Sequence, residues 1–168
     1  MLAGALVFQI GFTAMTPFAY ASAAAREVVL KKSADALLRN GRSERAILLY
    51  KKVLEKDPSL EAAYFNLAIA FYSEHRIDEA RLALKKLLRL NPHDGEAWYN
   101  LGCLTLYRCD IKTAKCFFEK AKKECGPDCC FTPLVDSGLL FSSRLEGLDP
   151  ASRKAVITLF LKHIGLSL

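Results

Sequence analysis

AYFNLA at residues 63–68 returns, slightly rewritten, as AWYNLG at residues 97–102, 34 positions later. The offset reaches well beyond those six residues. Shifted by 34, Ala46, Ala80 and Ala114 coincide, as do Pro58 and Pro92, with Gly126 and Pro127 closing a third unit. Tyr50, Leu84 and Phe118 fall in register four residues after each alanine. A fixed period of this length marks a unit that must stack on its neighbours, because one copy alone cannot bury its apolar face. The units begin near Glu27, Glu61 and Gly95, which divides the chain into 27–60, 61–94 and 95–128.

Inside each unit the apolar residues recur at helical spacing, as in Tyr64, Leu67, Ala68 and Phe71, then Ala80, Leu84, Leu87 and Leu88. Each unit is therefore expected to be two amphipathic helices. Polar links at 40–43, 73–76 and 108–110 suit short helix-to-helix turns. Asp57-Pro58 and Asn91-Pro92 separate the units, since the residue before proline is pushed out of helical geometry, and Ser59 and Asp94 stand where they can cap the next helix. Ala46, Ala80 and Ala114, opposite Ala34, Ala68 and Gly102, let paired helices approach closely.

The chain thereby resembles the tetratricopeptide repeat family. Trp98, Leu101, Gly102, Ala114, Phe118 and Ala121 match its signature at its own spacings, and Thr105 stands where the signature has an aromatic. The resemblance covers roughly residues 27–128 and implies an all-α, right-handed superhelical solenoid of antiparallel helix pairs. It also implies a non-enzymatic scaffold or adaptor whose first helices line a concave groove for a peptide or helical segment of a partner protein. In that register the inward positions are Val28, Lys31, Asp35, Leu38 and Arg39, then Ala62, Phe65, Ile69, Tyr72 and Ser73, then Glu96, Tyr99, Cys103, Leu106 and Tyr107. The groove side chains singled out for binding are Leu38, Phe65, Ile69, Tyr72, Tyr99, Leu106 and Tyr107. Some family members hold a ligand's terminal carboxylate with Lys, Asn and Arg. Lys31 and Asn66 match that set, whereas Asp35, Glu96 and Asn100 do not, which argues against such a clamp.

Residues 129–168 carry two further helix starts, Thr132-Pro133 and Asp149-Pro150, and Gly165 as a stop. With an insertion around residues 143–148, Ala155 and Leu159 fall where a second-helix alanine and aromatic belong, so this segment reads as a degenerate fourth repeat capping the stack. A second reading makes residues 150–164 a helix for a separate partner.

Residues 1–25 hold no charged side chain, and an apolar run is followed by Pro17 and then by AYASAAA. Pro17 is expected to break any helix before the small residues. The arrangement resembles a secretory signal peptide over residues 1–21, cleaved after Ala21 or Ala23, although no Lys or Arg precedes the apolar run. The alternative is an uncleaved anchor reaching to about residue 25, for which the apolar stretch is short against the ~20 residues a membrane helix needs. The expectation is an exported chain, periplasmic or secreted, with membrane contact only if the segment is retained.

All six cysteines, Cys103, Cys109, Cys116, Cys125, Cys129 and Cys130, lie in the third unit or just after it. The tight GlyProAsp turn makes Cys125 with Cys129 or Cys130 the favoured disulfide. No paired ligand spacing points to zinc, so no metal and no cofactor is expected; the different-class alternative is a thiol-active or metal-dependent protein using residues 103–130. His75, His93 and His163 lack a nucleophile or carboxylate at a catalytic spacing, and no phosphate loop or dinucleotide fingerprint occurs. The net charge of +6 is spread along the helices without aromatic platforms, so no nucleic-acid partner is expected.

Overall fold

The structure, a computed structural model, describes residues 17–126 and 132–163. These form eight α-helices and no strand: α1 (Pro17–Arg39), α2 (Ser43–Lys56), α3 (Glu61–Ser73), α4 (Ile77–Leu90), α5 (Gly95–Tyr107), α6 (Ile111–Cys125), α7 (Thr132–Leu145) and α8 (Pro150–His163). Consecutive helices α1 to α7 pack on one another in order, as antiparallel pairs α1–α2, α3–α4 and α5–α6, with α2 meeting α3, α4 meeting α5, and α6 meeting α7. This is the all-α helical-pair solenoid that the 34-residue period implies.

The close helix contacts are made by the small residues in register. Ala34, Ala46, Ala80 and Ala114 are wholly buried, and Ala68 nearly so. Gly102 fits the same scheme for a sharper reason: a Cβ there would stand 2.6 Å from the Phe118 ring. Gly138 on α7 approaches the other side of that ring, where a Cβ would lie 3.1 Å away. Phe118 is thus fully buried between glycines of α5 and α7, a side chain whose burial stabilises the fold by about 1.5–3 kcal/mol. Thr105, at the aromatic position of the repeat, is also fully buried, and its hydroxyl is satisfied by the Leu101 carbonyl at 2.7 Å.

The turns inside the units share one geometry. Gly41, His75 and Cys109 all have positive φ, at 69°, 57° and 59°. At each, the amide donates three residues back and the next amide reaches five back, as in Arg42 to Leu37 and Arg76 to Phe71, both at 2.9 Å. This paired bonding closes a helix through a left-handed residue.

Capping follows the expected scheme in part. Asp94 accepts from the Ala97 amide at 2.9 Å, and Asp149 accepts from the Ala151 and Ser152 amides at 3.0 and 3.1 Å. Ser59 does not cap α3. Its amide and hydroxyl both donate to Asp57 Oδ1, at 3.0 and 2.6 Å, so Asp57 folds the turn locally and Leu60 occupies the cap position. Helix α1 is described from Pro17 onward and runs through the small residues, whose alanines favour the helical state, while the run before Pro17 lies outside the described residues.

The C-terminal pair departs from the repeat scheme. Helix α7 stacks on α6 as a first helix should, but α8 packs against α5. Its buried side chains are Ile157 and Leu161, whereas Ala155 is exposed and Leu159 is 67% exposed. The expected alanine and aromatic positions at 155 and 159 are therefore wrong. Helix α8 touches α7 through a stacked ring pair, Phe141 and Phe160, 3.9 Å apart, and Arg153 donates to the Leu145 and Glu146 carbonyls, each at 3.0 Å.

Candidate functional site

The inner row of the second unit is partly open to solvent. Phe65 and Tyr72 on α3 are half-buried, and Ile69 between them is 42% exposed, a large apolar side chain left in water at a position the period makes inward-facing. Leu38 on α1 is half-buried and Val28 is exposed. At the α5 end of the turns Tyr107 is 36% exposed. These positions are brought onto one side of the stack by the helical spacing i, i+4, i+7 on successive first helices.

The third unit behaves differently. Tyr99, Cys103 and Leu106, the counterparts of Phe65, Ile69 and Tyr72, are 5%, 1% and 0% exposed. They share one core with Val135 and Leu145 of α7 and Ile157 and Leu161 of α8. Tyr99 and Leu106 are thus not open groove positions in this structure, because the C-terminal helices cover them. The same enclosure shapes their chemistry. Burial pushes the Cys103 thiol up to about 12, and burial, with Cys103 as neighbour, raises Tyr99 above the ordinary tyrosine value. Tyr72 is pushed up to about 12 by burial, then by Tyr107 and Cys103. Its hydroxyl is buried with no hydrogen-bond partner among the described residues.

The polar positions explain why a ligand carboxylate is not wanted at the α1 end. Lys31 Nζ meets Asp35 Oδ2 at 2.9 Å, and Asn66 Nδ2 donates to Asp35 Oδ1 at 3.0 Å. The fully buried Tyr50 donates to the same oxygen at 2.6 Å. The two side chains that could have received a ligand's carboxylate are therefore engaged by the chain's own. Burial opposes ionisation of Asp35, but the hydrogen bonds from Tyr50, Lys31 and Asn66 outweigh it and hold its pKa below the usual value.

Between α3 and α5 lies a cleft of 350 Å³ lined by Glu61, Ala62, Phe65, Asn66, Leu87, Asp94 and Glu96. Burial, and Asp94 beside it, raise the Glu96 carboxyl. This mouth of the groove is acidic within a basic chain. A second cleft of 370 Å³ opens between Tyr107 to Cys109 and Lys154, Ile157 and Thr158, where α8 meets the end of α5. Sequence reasoning missed a third, of 450 Å³, on the outer side between α2 and α4, floored by Tyr64, Leu67 and Phe71. Its cue was available in Leu54 and Leu82, apolar residues outside the alanine stripe of the second helices.

The cysteines do not form a site among the described residues. Cys103 is buried, Cys109 and Cys116 are exposed, and Cys125 is half-buried near Gly95. Cys129 and Cys130, the expected partners of Cys125, lie outside the described residues, as does the apolar run before Pro17. Among the described residues no group of three His, Cys, Asp or Glu side chains could hold a metal ion, and no helix is long and apolar enough to cross a membrane.

Residues 37–102 match the family model described as tetratricopeptide repeat. A tetratricopeptide repeat-containing protein of Methanocaldococcus jannaschii is 28% identical over 115 residues, which cover 68% of this chain and 20% of that protein. The chain thus spans about a fifth of the length of this curated relative. Among solved structures, the type III secretion chaperone SycD of Yersinia enterocolitica, in complex with a peptide of the translocator YopD, superposes with a TM-score of 0.66 at 14% identity, covering 70% of this chain and 92% of that one. The Sgt2 tetratricopeptide repeat domain of Aspergillus fumigatus gives 0.61 at 24% identity over 71% and 78%. The first such domain of Spaghetti, bound to an HSP90 peptide, gives 0.65 at 20% identity over 73% and 94%. At these identities the structural likenesses establish the fold, and residues 37–102 are the part of the chain that matches the tetratricopeptide repeat model.

Proposed function

We propose that the chain is a non-enzymatic protein-interaction scaffold that holds a peptide or helical segment of a partner against the inner faces of its first helices. The observation that carries this reading is the row Phe65, Ile69 and Tyr72. It presents apolar and aromatic side chains, one of them 42% exposed, beside a cleft with an acidic mouth. Partly exposed aromatic anchors in a concave surface are the usual source of binding energy at protein interfaces. The structural neighbours that hold peptides of YopD and HSP90 support the same use of the fold. The acidic mouth favours a segment with a basic side chain next to its apolar anchors.

Replacing Ile69 and Tyr72 together by alanine is expected to reduce capture of partners from native extract about thirtyfold, corresponding to ~2 kcal/mol for anchor truncation. Helicity and cooperative melting should persist. Lys52→Ala with Lys85→Ala, on exposed second-helix faces, should leave capture unchanged. If the lysine pair abolished capture and the inner pair did not, the outer surface would be the binding face and the reading would fall.

The setting we propose is an exported or envelope-associated complex, a reading supported by the uncharged residues 1–25 with small residues at 21–25. Mass spectrometry of the native protein's N-terminus should find Ser22 or Ala24 first; an intact Met1 would reject cleavage.

A further inference from the structure

Helix α8 does not occupy the place of a second helix in a fourth unit. It lies against α5 and buries Ile157 and Leu161, four residues apart, in one core with Cys103 and Leu106. Those two are at inward positions, and their counterparts Ile69 and Tyr72 remain partly open one unit earlier. The inner surface of the third unit is thus already covered, by α7 together with a helix α8 whose buried side chains are one i, i+4 pair. Elsewhere on α8, Phe160 is half-buried against Phe141 and Arg153 bonds the end of α7, while Val156 is 36% exposed and Leu159 67%. The connector to α7, residues 146–149, tethers it.

We propose that the inner face of α5 is an exchangeable helix-docking site, occupied by α8 until a partner's amphipathic helix, carrying two apolar side chains four residues apart, takes the seat. This rests on the concave-face reading above and makes its partner specifically helical at the third unit. What supports the partner's chemistry is the intramolecular occupant itself. The seat accepts Ile157 and Leu161 on adjacent turns, and apolar residues at that spacing are how helices are read in grooves.

The test uses the full chain carrying Ile157→Glu and Leu161→Glu, with a synthetic peptide of residues 149–163 in its natural sequence as the probe. The vacated variant should bind the probe at least tenfold more tightly than the unsubstituted chain, and a peptide carrying the same two glutamates should not bind. Cys103, 1% exposed in the closed form, should be alkylated at least tenfold faster in the variant. A cooperatively melting variant that shows neither change overturns the proposal. Should the variant fail to fold, hydrogen exchange on the unsubstituted chain decides. Amides of α8 exchanging at least tenfold faster than those of α5 sustain the proposal, and equal protection of the two helices refutes it. None of these readouts uses the native partner, so they stand or fall separately from capture by Ile69 and Tyr72.

Discussion

At the residue scale, Asp35 shows how one side chain can both join two units and close a site. Its carboxylate accepts from Lys31, Tyr50 and Asn66, on α1, α2 and α3 respectively. Asp35→Ala would leave the buried Tyr50 hydroxyl without an acceptor, and a loss of about 1–3 kcal/mol is expected in denaturant melts. Asp35→Asn should cost less, because an amide oxygen can still accept from Tyr50. The pKa of Asp35 is lowered in the fold, so its contribution is fully present above the unfolded value of about 3.9 and is lost as pH falls through the folded value. Melts of the parent and Asp35→Asn chains should therefore converge as pH is taken from 6 to below 3. His75 and Cys109 illustrate a different constraint, since each carries a left-handed φ that an L side chain adopts at a cost of about 1–2 kcal/mol. Cys109→Gly is expected to stabilise the chain by about 0.5 kcal/mol, the remainder being offset by glycine's greater unfolded freedom. Neither residue announces its conformation by type. Only the period does, because both lie in register with Gly41.

At the scale of elements, the alanine and glycine positions decide how closely helices pair. Ala80→Leu inserts three carbons at a wholly buried contact, and an overpacking cost of about 1–3 kcal/mol is expected in thermal or denaturant melts. Gly102→Ala should cost a similar amount, because its new Cβ meets the Phe118 ring at 2.6 Å and Gly138 confines that ring from the far side. An unchanged melting curve in either variant would mean that the pair is packed in another register. The helices and their pairing were legible in the sequence because the 34-residue repeat samples the same contacts three times. Helix α8 was legible as a helix, through Asp149 and Pro150, but its seat was not. Repeat register assigns Ala155 and Leu159 to the buried side, whereas the tertiary contact with α5 selects Ile157 and Leu161. Phe65, Ile69 and Tyr72 are partly exposed at the positions the repeat register assigns to the groove, yet the same logic left Tyr99 and Leu106 open where α7 and α8 enclose them. No local pattern carries information about which neighbouring surface a terminal helix will choose.

On the scale of the whole molecule, units are joined by apolar packing supplemented by ion pairs along the surface. Arg76 reaches Glu44 at 3.3 Å, Arg108 meets Asp78, and Lys122 meets Asp136 at 2.7 Å, while His93 and Glu124 share a hydrogen bond at 2.7 Å. Each has at least one strongly exposed partner, and exposed pairs of this kind contribute about 0–1 kcal/mol. Raising sodium chloride to half-molar should therefore shift the free energy of unfolding by no more than ~1 kcal/mol, since screening also relieves the repulsion within a chain of net charge +6. A large loss in salt melts would show that the charges, not the stacked alanines and Phe118, hold the array together. The connector of residues 146–149 has a further consequence. A helix tied by so short a link competes for the α5 surface at an effective concentration in the millimolar range. A free partner helix of equal intrinsic affinity would have to approach that concentration to displace it. A longer partner that first engages Phe65, Ile69 and Tyr72 meets α8 on equal terms, because it too is then tethered. Under the exchange proposed above, the connector sets a length requirement, favouring segments that span two units over short helices, however well their two apolar residues fit.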